Sequence, residues 1–166
     1  MLPPRFRQEA AFVQLYSPAE RQRRNQSGWT LVQGILAPLQ FLAFAVSLAL
    51  VLFYLATGQG YALATGSIVL KTGLLYAIML TGSFWEKAVF GRWLFAPAFF
   101  WEDIVSMVVL ALHTAYLLAL TNGWLGRDAL MLLALAAYAS YLVNAGQFLV
   151  KFRTARRQSA SRAVPA

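Results

Sequence analysis

Apolar residues occur along this chain in four long runs, at roughly residues 30–56, 62–85, 98–121 and 127–150, each broken only by isolated polar side chains. A run of this kind, at about 1.5 Å of helix rise per residue, matches the roughly 20 residues needed to cross the hydrocarbon of a bilayer. The pattern predicts an all-α integral membrane bundle of about four transmembrane helices. The connections read as turns or short links: Thr57-Gly58-Gln59-Gly60, a longer link carrying Lys87 and Arg92, and Thr121-Asn122-Gly123 running to Gly126. None is long enough to hold a domain. Ahead of the first run, Ser17-Pro18-Ala19-Glu20 fits a helix start, with serine capping, proline at the first helical position and glutamate reaching back. The expected organisation is a basic cytoplasmic segment over residues 1–29, a transmembrane domain over 30–150, and a basic, disordered cytoplasmic tail over 151–166.

Composition agrees: 60% of the residues are hydrophobic and only 12% charged, too apolar for an ordinary soluble domain. The absence of cysteine excludes disulfides, thiolate nucleophiles and cysteine metal sites. The first 27 residues hold no apolar run of signal-peptide length, so no cleavable signal is expected. A net charge of +8 raises the question of nucleic acid, but most basic residues sit in two tails, Arg5, Arg7, Arg21, Arg23 and Arg24, then Lys151, Arg153, Arg156, Arg157 and Arg162. Basic tails beside apolar spans are topology signals and contacts for anionic lipid. No nucleic-acid partner is expected. Both tails and the second link are basic whereas the first link is not, which places both termini on the cytoplasmic side. Aromatic residues crowd the second link around Pro97, as at a headgroup-level belt.

Polar side chains inside the spans mark candidate chemistry, because a bilayer tolerates them only when they face protein or a cavity. Gln33, Gln40, Ser47 and Tyr54 recur every seven residues and form one helical stripe, suited to interhelical hydrogen bonds or to lining a polar ligand. Lys71 lies near mid-bilayer in the second span, and His113 lies at comparable depth in the third, so the two are candidate neighbours across an antiparallel pair. His113 suits a structural hydrogen bond, proton transfer or axial ligation of a metal centre. Three of the six carboxylates, Glu86, Glu102 and Asp103, flank the second link. Glu102, Ser106 and His113 share one helical face, and Asn144 and Gln147 fall in the last turns before Lys151. One histidine without cysteine cannot build a metal site from imidazoles, and no phosphate-cradling loop or nucleophile elbow occurs. Acid–base chemistry or ligand binding remains.

Several stretches carry a resemblance: Trp29-Thr30-Leu31-Val32-Gln33-Gly34, Ser67-Ile68-Val69-Leu70-Lys71-Thr72, Trp85-Glu86-Lys87-Ala88-Val89-Phe90-Gly91-Arg92, the block from Leu94 through Phe99-Phe100-Trp101-Glu102-Asp103, Ala111-Leu112-His113-Thr114-Ala115-Tyr116, and Val143-Asn144-Ala145-Gly146-Gln147-Phe148. Together, over about residues 16–152, they resemble the 3-vinyl bacteriochlorophyllide hydratase family. The resemblance implies a hydro-lyase of bacteriochlorophyll biosynthesis in a photosynthetic bacterium. Its substrate would be chlorophyllide a or a 3-vinyl bacteriochlorophyllide, and its product the 3-(1-hydroxyethyl) compound. It also implies a multi-pass protein of the inner or intracytoplasmic photosynthetic membrane, in contact with the bilayer and with neighbouring enzymes of the pathway.

The resemblance assigns no catalytic residues, so roles follow from the chemistry. Protonating the terminal vinyl carbon leaves a cation at the inner carbon, which the conjugated ring delocalises and water attacks. That takes an acid and a water-orienting base. A carboxyl group against apolar walls can stay protonated near neutrality, and two close carboxylates resist ionising together. Glu102 or Asp103 is the expected acid, the other orients water, and Glu86 and His113 join them as catalytic candidates. Lys87 and Arg92 are expected at the substrate's propionate, His113 as an axial ligand to its magnesium, and Lys71 at an internal carboxylate or ring carbonyl. Gln33, Gln40, Asn144 and Gln147 complete the binding set. Hydration moves no electrons, so no cofactor is expected. The rival readings are a pigment-binding protein that leaves its chlorin unaltered and a small proton or ion pathway through Lys71, His113 and the carboxylates.

Overall fold

A computed structural model describes residues 15–161, with side chains described through residue 156. Among the described residues it is all helical: α1 (Pro18–Gln26), α2 (Gly28–Thr57), α3 (Tyr61–Phe90), α4 (Phe100–Thr121) and α5 (Arg127–Ser161). Four of these, α2 to α5, are long and apolar enough to cross a membrane. The chain is a multi-pass membrane protein. Thirty residues of helix, as in α2 and α3, reach about 45 Å, enough for the hydrocarbon and both headgroup layers.

α2 and α3 form a tight antiparallel hairpin. Gly58 (φ 70°) ends α2 and Gly60 (φ 78°) opens α3, a left-handed pair that residues with a Cβ enter only at a cost. The register is pinned along its length by Trp85 Nε1 donating to Thr30 Oγ1 (3.0 Å), Gln33 Nε2 to Thr81 Oγ1 (2.7 Å) and the Ser47–Ser67 hydroxyl pair (2.7 Å). α4 and α5 form the second hairpin, tied by Asn144 Nδ2 donating to Ser106 Oγ (3.0 Å) and to the Glu102 carbonyl (2.9 Å). Phe44, Val51, Ile68, Val109, Tyr116, Met131 and Tyr138 fill the space between the hairpins. Leu31, Ile35, Leu63, Leu70, Leu132 and Val143 point outward, the surface a lipid solvent demands.

The elements fall close to the expected runs, with two differences. α5 does not stop at residue 150 but continues as helix to Ser161, because no proline or glycine interrupts residues 151–161 and Lys151 is anchored by the Glu102 carboxylate of α4 (2.5 Å) and by the Ala98 carbonyl in the link before it. Residues 1–14, with Arg5 and Arg7, and residues 162–166, with Arg162, lie outside the described residues. The aromatic belt divides in two: Trp93, Phe100 and Trp101 are exposed, whereas Phe99 is buried in a ring cluster with Tyr16, Trp85, Phe90 and Phe148.

α1 starts where the sequence pattern places it. Ser17 Oγ accepts the Glu20 N–H (3.3 Å) and the Glu20 carboxylate accepts the Ser17 N–H (2.7 Å), a reciprocal capping box. The backbone amide of Ser17, and then its hydroxyl, hold the Glu20 carboxyl below its ordinary value of 4.5. A depressed pKa contributes stability that is present above 4.5 and lost as pH falls through the lowered value. Acidification below pH 4.5 should therefore fray α1 ahead of the bundle, read as faster amide exchange over Pro18–Gln26 than in α2 to α5.

Candidate active site

At the α1 end of the bundle the hairpins part around a cavity of about 1460 Å³, larger than the roughly 300–1,000 Å³ of ordinary small-molecule sites. All five helices contribute walls. Its sides are apolar, with Phe41, Leu75, Ile78, Trp85, Phe99 and Phe148 among them. Gln40, Leu75 and Tyr141 line its deep end, and the packed layer of Phe44 and Tyr138 follows beneath.

Two carboxyl groups enter this cavity, Glu86 from the last turn of α3 and Asp103 from the first turn of α4. Both are buried. The link between their helices folds back so that one turn holds both: Ala96 N–H donates to Glu86 Oε2 (3.1 Å) and Phe95 N–H to Asp103 Oδ2 (2.8 Å). The carboxyl groups also meet each other. Phe95 takes a left-handed conformation (φ 58°), the one non-glycine among the described residues to do so. Such a backbone costs on the order of 1–3 kcal/mol and persists where its surroundings over-determine it, here through the two carboxylate bonds on Phe95 and Ala96. A paired acid at the wall of an apolar cavity can give a proton to a bound molecule and take one from water.

Glu102 faces elsewhere. Successive residues on a helix point about 100° apart, and Glu102 turns to Lys151 (2.5 Å) in a smaller recess of about 510 Å³ that it shares with Gln147. The two carboxyl groups that share the cavity are thus Asp103 and Glu86, whereas Glu102 lies at the separate recess. Lys71 and His113 do come together, with Lys71 Nζ 2.6 Å from His113 Nε2. Both are fully buried and lie outside the cavity wall, Lys71 sitting 4.2 Å behind the ring of Tyr141. His113 Nδ1 donates to the Val109 carbonyl (2.8 Å), so both ring nitrogens are engaged and neither is free to ligate magnesium.

Lys87 donates to the Gly91 carbonyl (3.0 Å), closing the end of α3, and Arg92 is exposed; neither lines the cavity. The cations that do are Arg21 and Arg24 of α1 and Arg153 and Arg156 of α5. From the sequence these read as topology signals and contacts for anionic lipid. The available signal was their spacing, since Arg21 and Arg24, like Arg153 and Arg156, lie three residues apart and share a helical face. Tyr16 lines the same rim with Arg24 over its ring at 4.7 Å, and burial pushes its hydroxyl above its usual value, so it stays protonated. Of the remaining candidates, Gln33, Gln40 and Asn144 line the cavity and Gln147 does not.

Residues 16–154 match the sequence model of a family described as 2-vinyl bacteriochlorophyllide hydratase. A protein of that name from Cereibacter sphaeroides is 66% identical over 142 residues, covering 86% of this chain and 88% of its own. Another of that name, from Rhodobacter capsulatus, is 63% identical over 147 residues, covering 89% of this chain and 85% of its own. No solved structure gives a significant match.

Proposed function

The chain belongs to the 2-vinyl bacteriochlorophyllide hydratase family, and we propose from this that it adds water across the vinyl group of a chlorophyllide-type macrocycle in bacteriochlorophyll biosynthesis. The vinyl carbon numbered 2 in the older convention for the ring is number 3 in the systematic one. The observation that carries the reading into this structure is the Glu86–Asp103 pair at the wall of a large, mostly apolar cavity. One member of the pair protonates the terminal vinyl carbon, and the ring delocalises the cation left on the inner carbon. Water adds there and loses a proton to the other member. The proton then crosses within the pair and restores it, so atoms and charge balance with no electron transfer.

The macrocycle lies between the hairpins with its propionate at the basic rim, where Arg21, Arg24, Arg153 and Arg156 supply planar donors suited to a carboxylate. Replacing Arg24 or Arg153 with Gln is expected to raise KM about tenfold for a substrate with a free propionate, in line with the loss of one charge-assisted hydrogen bond. The same substitutions should hardly affect KM for the propionate methyl ester, a difference steady-state kinetics reads directly. The basic rim also supports a cytoplasmic placement of this end of the bundle and of both termini, in the inner or intracytoplasmic photosynthetic membrane, within reach of neighbouring enzymes of the pathway.

The experiment is incubation of the purified protein, in lipid, with chlorophyllide a. Loss of the vinyl group with a gain in mass of one water supports the hydratase. Stoichiometric pigment that co-purifies and keeps its vinyl group would instead make the protein a carrier.

A further inference from the structure

Gln33 in α2 holds its side-chain amide in one orientation. The amide nitrogen donates to Thr81 Oγ1 (2.7 Å) and to the Ile78 carbonyl (3.4 Å), both on α3. The Thr81 hydroxyl gives its own proton to the Ala77 carbonyl (2.7 Å), so toward Gln33 it acts as an acceptor, and the Ile78 carbonyl can act only as one. Both amide hydrogens are taken, and a flipped amide would set oxygen against oxygen. The Gln33 Oε1 atom is left over, with no donor engaging it among the described residues. It lies beside Gly82, where an added Cβ would be 3.8 Å away, and Gln33 and Gly82 both line the cavity. Glycine at position 82 thus leaves space in front of a fixed acceptor.

Chemistry limits what can fill that space. An oxygen that only accepts needs a ligand with an N–H or O–H. A magnesium chlorophyllide with an ionised propionate has neither. Two species in a hydration do: the attacking water, and the hydroxyl group it becomes. Position agrees with this. Gly82 lies one turn before Glu86 on the same side of α3, about 5.4 Å along the helix. One water that bridges two acceptors, at about 2.8 Å from each, covers that interval. Such a water gives one hydrogen bond to Gln33 and one to the carboxyl pair, and keeps a lone pair for carbon.

We infer that Gln33 positions the water that attacks the inner vinyl carbon and then holds the hydroxyl group of the product. As the carbon–oxygen bond forms, the proton facing the carboxyl pair passes to its ionised member, and the proton facing Gln33 stays as the hydroxyl proton. Because Gln33 is fixed to α3, water arrives on one face of the vinyl group, and one configuration of the new carbinol carbon dominates. The identity of the attacked group rests on the hydratase reading.

The test compares wild-type protein in lipid with Gln33→Met, of similar volume, and with Gly82→Ala, whose methyl group would meet Oε1 at ordinary van der Waals distance while leaving the Gln33–Thr81 bond in place. Two ligands are titrated by pigment fluorescence: chlorophyllide a and its 3-(1-hydroxyethyl) product. In Gln33→Met the Kd for the product should rise about tenfold, the loss of one hydrogen bond, while the Kd for chlorophyllide a stays within about twofold. Hydration by this variant should show kcat lowered about 10- to 100-fold at a nearly unchanged KM, and a ratio of the two carbinol configurations that moves toward one. A merely structural role would weaken both ligands alike and leave that ratio where it is. Unchanged product affinity in folded Gln33→Met, or unchanged kcat and configuration, would overturn the inference. Should Gln33→Met fail to fold, Gly82→Ala decides: weaker binding of the product alone supports the inference, and equal losses or none overturn it. Because the titration needs binding and not turnover, a Gln33-dependent preference for the product in a protein that hydrates nothing would uphold the hydroxyl contact while removing the hydratase reading.

Discussion

Glu86→Gln is expected to lower kcat by about 10²- to 10⁴-fold, the range over which a positioned acid or base contributes to proton transfer. The substitution keeps an oxygen to accept the Ala96 N–H, so the turn between α3 and α4 survives and only the ability to exchange a proton is removed. Asp103→Asn, which keeps an acceptor for the Phe95 N–H, should cost a similar factor. Groups that act as a unit are not additive, so the double variant should be little worse than the poorer single one. Glu102→Gln is the discriminating control. Glu102 sits beside Asp103 in sequence but is paired with Lys151, so its loss should weaken the anchoring of α5 and leave turnover per folded molecule within a few-fold of wild type. A collapse of kcat in Glu102→Gln with normal turnover in Glu86→Gln would invert the assignment.

The largest effect on stability is expected at His113. His113→Leu removes the acceptor for the fully buried Lys71 amino group, which would then face only the rings of Tyr138 and Tyr141. Removing one partner of a buried polar or ionic pair costs on the order of 3–5 kcal/mol, whereas replacing both with apolar groups of similar volume is often neutral. The double variant Lys71→Met, His113→Leu should therefore recover most of the loss. Unfolding in detergent reads both effects. Since the pair lies behind Tyr141 and not in the cavity, turnover per folded molecule should hold in the double variant. A folded double variant that had lost turnover would place His113 or Lys71 on the substrate.

The four spans were legible because hydropathy is a property of each segment by itself. So was the meeting of Lys71 and His113, which needs only comparable depth and antiparallel neighbours. The stripe from Gln33 to Tyr54 also read correctly as protein-facing, since period seven fixes a helical face. The carboxyl pair was harder. Glu86 and Asp103 are joined through a link whose path depends on the left-handed Phe95, and nothing in the residue type of a phenylalanine announces a positive φ. Adjacent Glu102 and Asp103 looked like one site in sequence, yet the rotation of the helix sends them to different recesses. The arginine rim stayed hidden because tail arginines carry a topological meaning that already accounts for them. Only the packing of α1 and the continuation of α5 bring them to one mouth.

Addition of water to the vinyl group through Glu86 and Asp103 leaves an isotopic record in the product. The most direct measurement is turnover of chlorophyllide a in deuterated, heavy-oxygen water, with mass spectrometry and NMR locating the labels in wild type and in the two amide variants. One deuterium on the terminal carbon and heavy oxygen on the inner carbon are expected in wild type, with both labels largely absent from Glu86→Gln and Asp103→Asn. Labels that persist undiminished in the folded variants would contradict the role of the carboxyl pair, and their absence from wild type would contradict the hydration itself.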